Sequence, residues 1–122
     1  MNATTRLALY YGILPPSARI VARDRLWRIE GEAITGGHTF AEIGVVHRIG
    51  TGSDPDSAAA HHLAELAGTQ LATATRHRRQ EQIARDLCAK TGRPEWGVLA
   101  DVWGMAATVA ELATALLTGD AP

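Results

Sequence analysis

The feature that most constrains this chain is a four-residue interruption, Thr91-Gly92-Arg93-Pro94, between two long stretches of helical periodicity. On its amino-terminal side Asp54 is placed to cap a helix, Pro55 fits the first turn, and Asp56 adds a favourable negative charge. Apolar residues then recur at helical spacing through Leu63, Leu66, Ala67, Leu71 and Ala74, and again at Ile83, Ala84, Leu87 and Cys88. Between these stripes residues 75–82 are polar on every face but contain no Gly or Pro. The spacing therefore predicts one long helix with an exposed middle, with Gly68-Thr69 the place for a bend. Past the interruption a second helix is expected from Pro94 or Glu95 to Gly119. Its broad apolar face comprises Trp96, Leu99, Val102, Trp103, Ala106, Val109, Leu112 and Leu116. Gly97, Ala100, Gly104 and Ala107 line another side and permit close approach. So short a connection makes the two helices antiparallel neighbours.

The expected fold class is mainly α: a small helical bundle built on a long antiparallel hairpin, 54–91 with 94–118. A chain of 122 residues suits a single domain, 1–122, with a real core. Its 22 alanines favour closely packed helices.

Residues 1–50 read less uniquely. Leu7–Leu14 suits a short helix stopped by Pro15-Pro16, and Ser17 can cap a second helix from Ala18. From Leu26 two readings compete. In one, the second helix continues to Ile34, and a capping box, Thr39-Phe40-Ala41-Glu42, opens a third that ends before Gly50. In the other, which makes the fold α+β, a β-hairpin spans 26–47. Gly36-Gly37 is then a two-residue turn joining strands 27–34 and 39–46. That register sets Trp27 against Val46, Ile29 against Gly44 and Ala33 against Phe40.

Net charge is −1, from 12 Lys+Arg and 13 Asp+Glu. The near-neutrality is a cancellation of blocks: +4 over 1–29, −5 over 30–75, +4 over 76–93 and −4 over 94–122. Folding back at Gly92 brings Arg85 to the level of Asp101 and Arg76 to that of Glu111, so the expectation is that acidic blocks neutralise basic ones. A single cysteine excludes an internal disulfide framework, and Cys88 reads as a small core residue. The start of the chain lacks a basic segment followed by an apolar stretch and a cleavage site. Asp101 and Glu111 interrupt the most apolar run, 96–117. A soluble, cytoplasmic protein without membrane contact is expected.

Three sets of residues are candidates for function. Trp96, Leu99 and Trp103 lie on an apolar face too broad for two helices to bury, and an uncovered patch of that kind marks a partner site. A protein partner or homodimer is the leading expectation, for a non-enzymatic adaptor, inhibitor or accessory subunit needing no cofactor. Arg76, Arg78, Arg79 and Arg85 form a basic stretch able to touch phosphates, which makes a nucleic-acid-binding regulator the alternative. His61, His62 and Glu65 share a helix face and could begin a metal site, the basis of a metal-dependent enzyme as a third reading. His38 or His47 would complete it. No nucleophile elbow, phosphate-binding loop or dinucleotide fingerprint occurs. Gly50-Thr51-Gly52-Ser53 precedes a helix, but Asp54 and Asp56 put negative charge where an anion would sit.

Thr39-Phe40-Ala41-Glu42-Ile43 resembles the opening of the first helix of a helix-turn-helix unit, with 56–66 as its second helix. The 50–55 connection exceeds the usual three- to four-residue turn. The second helix would open Asp56-Ser57-Ala58-Ala59-Ala60, without a base-reading side chain. A further reading takes 3–25 as the helix pair and 26–48 as a wing bearing Arg19, Arg23, Arg25 and Arg28.

Overall fold

The first helix is short and closed at both ends by its own sequence. In the computed structural model, which describes residues 1–34 and 44–119, α1 spans Ala3–Tyr11. Asn2 caps it by accepting the Thr5 N–H at 2.8 Å, and Gly12 ends it in the left-handed region. A 3-10 turn over Pro15–Ser17 leads into three strands, β1 (Arg19–Arg23), β2 (Leu26–Glu32) and β3 (Gly44–Gly50). They form an antiparallel sheet in the order β1-β2-β3.

Both helical readings of this region are thereby corrected. Residues 19–23 and 26–32 are strands, and so is 44–50. The cause at β1 is a two-residue turn at Asp24-Arg25, both with positive φ (51° and 66°), which turns the chain without a glycine. The hairpin reading is right in pairing β2 with β3 and wrong in register. Ile29 faces His47 and Glu30 faces Val46, a shift of three residues from the expected pairing. An odd shift turns β3 over. His47 and Ile49 then share the inner face with Trp27 and Ile29, while Val46 is exposed. Burial of Ile49 beside Ile29 is the gain that selects this register. The Gly36-Gly37 turn and the Thr39–Ile43 helix opening lie outside the described residues.

Gly31 shows why β2 can pass under the 13–17 segment. A Cβ there would lie 2.6 Å from Ile13 Cγ2 and 2.9 Å from Ser17 Oγ. The crossing is tied by hydrogen bonds, Leu14 N–H to the Glu32 carbonyl (2.7 Å) and Glu32 N–H to Ser17 Oγ (2.8 Å).

The two long helices follow, α2 (Pro55–Thr91) and α3 (Pro94–Thr118). Asp54 caps α2 by accepting the Ser57 N–H at 2.9 Å, which holds its carboxyl below the usual range. Gly92 closes α2 in the left-handed region and Pro94 opens α3. One core joins Leu7, Ala8, Ile13, Ile29 and Ile49 to the first turns of α2 (Ala58, Ala59, Leu63, Ala67) and to Leu117 near the end of α3. This head covers only one end of the hairpin. The remainder of α2, a rod about 55 Å long in all, has α3 as its neighbour among the described residues.

Candidate helix interface

Side chains along the hairpin show which face of α3 meets α2. Ala100, Gly104, Ala107 and Ala110 are buried, opposite Ala74 and Ala84 of α2. The seam is made from small residues and the helices approach closely: a Cβ on Gly104 would sit 2.5 Å from Glu81 Oε2. Residues 75–82, expected to be exposed on every face, instead contribute His77, Gln80 and Glu81 to the flanks of this seam. His77 stacks on Trp103 with ring centroids 5.1 Å apart, and Glu81 is half-buried against α3.

One flank of the seam is polar. Arg85 reaches Glu81 at 2.8 Å and Asp101 at 3.3 Å, while Arg78 bonds Glu81 at 3.0 Å and also Glu111. The two guanidiniums, Arg85 first, hold the Glu81 carboxyl below its ordinary range, and the carboxylates raise both arginines. Arg78 thus takes the position expected for Arg76, because Arg78 lies on the α3 side of the helix. Two of the four candidate phosphate-binding arginines are thus paired with carboxylates while their side chains stay partly open to solvent. Arg76 and Arg79 are exposed as well.

The other flank holds Trp96 and Trp103, both half-buried beside a shallow groove of about 150 Å³ lined with Gln80, Ile83, Ala84 and Leu99. The outermost face of α3 carries larger apolar side chains that nothing among the described residues covers. Met105 is 70% exposed, Val109 67%, Val98 65%, Leu112 62% and Val102 53%. With half-buried Leu116 these residues are spaced 4-3-4-3-4, the 3.5-residue rhythm of a coiled-coil seam. Two of them, Val98 and Met105, are missing from the face drawn on 3.6-residue periodicity. The heptad spacing was the signal that could have found them. Across 94–118 there is no Lys or Arg.

Comparison with protein-family models, characterised proteins and solved structures finds no match. The remaining site residues are therefore placed by geometry alone. His61 Nε2 lies 3.0 Å from Glu65 Oε1, and His62 Nδ1 is 3.9 Å from Glu65 Oε2. His62 Nε2 is taken up at 2.5 Å by the Tyr11 hydroxyl, and Tyr11 stacks on His47 at 4.0 Å. Burial lowers the His62 pKa despite Glu65, and burial raises that of Tyr11. The cluster joins α1, β3 and α2 by stacking and hydrogen bonds. Among the described residues no three His, Cys, Asp or Glu side chains converge as metal ligands. Arg19, Arg23 and Arg28 lie on the sheet, with Arg19 paired to Glu30 at 3.3 Å and Arg28 to Asp24 at 3.5 Å.

Proposed function

We propose that the protein is a non-enzymatic binding module, an adaptor, inhibitor or accessory subunit, whose working surface is the outer face of α3. The observation that carries this reading is the two-sidedness of that helix. A helix apolar on two sides belongs between neighbours on both of them. α3 has α2 on its small-residue side and no neighbour on the larger-residue side among the described residues. Contiguous exposed apolar surface of this kind marks an interaction site.

By length and composition α3 could also cross a membrane. Against that use, its mid-helix Asp101 and Glu111 hold Arg85 and Arg78 of α2. Entry into hydrocarbon would strip these pairs or draw a charged helix in with them. A protein surface asks for neither.

The test is site-specific photocrosslinking in the host cell. A photoreactive residue at Met105 is expected to give a discrete protein adduct, and one at the exposed Arg79 of α2 is expected to give none. No adduct from Met105, with the helix content intact, would sink the reading.

A second reading, nucleic-acid binding, is favoured by one feature of the sheet. Arg28 and Arg48 are cross-strand partners; Asp24 offsets the charge of Arg28, and a phosphate over the pair would relieve the remaining like-charge repulsion. Salt-sensitive retention of duplex DNA, lost in Arg28→Ala/Arg48→Ala, is the outcome it requires. No retention at low salt contradicts it.

A further inference from the structure

We infer that the occupant of the α3 outer face is a second copy of this chain, packed α3 against α3 in antiparallel register about a two-fold axis at the level of Ala107. The inference rests on the binding-module reading and supplies its partner. Three properties of the face select a second copy over an unrelated chain.

The first is volume. An antiparallel register centred on Ala107 sets Val98 against Leu116, Val102 against Leu112 and Met105 against Val109, and each pair recurs by symmetry. Every layer then matches one valine with one longer side chain, so the layers have nearly equal volume, as a well-filled seam requires. A parallel, in-register pairing would set valine on valine at 98, 102 and 109, methionine on methionine at 105 and leucine on leucine at 112 and 116, so the layers would differ in volume and thicken toward one end.

The second is charge. The positions beside the seam are Leu99, Ala106 and Ala113 on one side and Asp101, Thr108 and Ala115 on the other. Antiparallel pairing sets Asp101 opposite Ala115 of the second copy and separates the two Asp101 levels by about 18 Å along the axis. No like charges meet, and the helix dipoles oppose favourably. An unrelated chain would usually be selected through charged flanking positions, and this face has almost none.

The third is area. Six seam residues, with Leu99, leave on the order of 600 Å² per copy to be covered, so two copies together reach the lower end of the 1,200–2,000 Å² of specific interfaces. The seam runs about 27 Å from Val98 to Leu116, well past the covered end of the hairpin. The resulting assembly is a row of four helices, α2-α3-α3-α2, in which α3 gains its missing neighbour.

The test is sedimentation equilibrium of the full chain, together with directed disulfide formation. The wild type is expected at twice the 13.0 kDa monomer mass. Val102→Glu/Val109→Glu should fall to the monomer mass with unchanged circular dichroism, since both side chains are exposed within one copy. In a Cys88→Ala background, Val102→Cys mixed with Leu112→Cys should cross-link across the seam, and Val102→Cys alone should not. A monomer at every concentration overturns the second-copy inference. If Met105 still forms an adduct with another protein, the binding-module reading survives it. A dimer that persists in the double-Glu variant, or a disulfide from Val102→Cys alone, overturns this seam. Transfer of the monomer to neutral phosphatidylcholine vesicles overturns both readings.

Discussion

Asp24 and Arg25 turn the chain between β1 and β2 with positive φ at both positions, a conformation that costs a side-chain-bearing residue about 1–2 kcal/mol. The turn holds because it lets β1 pair fully with β2, from Arg19 opposite Glu30 to Arg23 opposite Leu26. Arg25→Gly is therefore expected to raise stability by about 1 kcal/mol. Gly31→Ala is expected to lower it by about 1–3 kcal/mol, because its new methyl meets Ile13 and Ser17. Urea midpoints of the two variants check both signs. His62 gives a pH dependence. Its folded pKa is depressed by burial, so as pH falls the unfolded chain takes up the proton first. The stability contributed by neutral His62 is complete above about pH 6.5 and is lost as the pH falls below that toward the folded pKa. Thermal midpoints should drop between about pH 7.5 and 5.5, and His62→Gln should flatten that part of the curve. A wild-type midpoint flat across this window would contradict the assignment.

At the scale of elements, the ends of the long helices are legible in the sequence. Asp54-Pro55, Gly92 and Pro94 act locally, and each stands where the structure uses it. The strands are harder to read. β1 announces no turn because Asp24-Arg25 lacks glycine, and β3 has its register set by burial of Ile49 against a head that residue spacing does not reveal. For α3 the spacing identifies an apolar helix but not which side faces α2. The nearest partner takes the small residues, since Ala100, Gly104 and Ala107 allow closer axes than Val102 or Met105 would. Trp96, Leu99 and Trp103 were legible as an apolar set, yet they border the hairpin groove, while the most exposed residues lie one helical strip further out. The two faces should respond oppositely to substitution. Ala107→Leu overfills the inner seam and is expected to cost about 1–3 kcal/mol. Val109→Ala on the outer face should stay within about 0.5 kcal/mol at concentrations where the chain is monomeric. Equal effects in dilute denaturant titrations would contradict this division of faces.

For the molecule as a whole, the division is between a head that fastens one end of the hairpin and a free length that presents α3. Charge follows the same division. Of the basic block at 76–93, Arg78 and Arg85 are spent on Glu81, Asp101 and Glu111 along one flank of the hairpin. The outer face of α3 is left without charge at its centre, which suits contact with an equally uncharged surface. The sequence has two methionines, and they report on this directly. Met1 is 72% exposed and Met105 70%, so in an isolated chain peroxide should convert both to the sulfoxide at similar rates. The decisive measurement is the ratio of these rates by mass spectrometry across a dilution series. The account predicts a ratio near one in dilute solution that falls severalfold as concentration rises and α3 is covered. A ratio that stays near one at every concentration would contradict it.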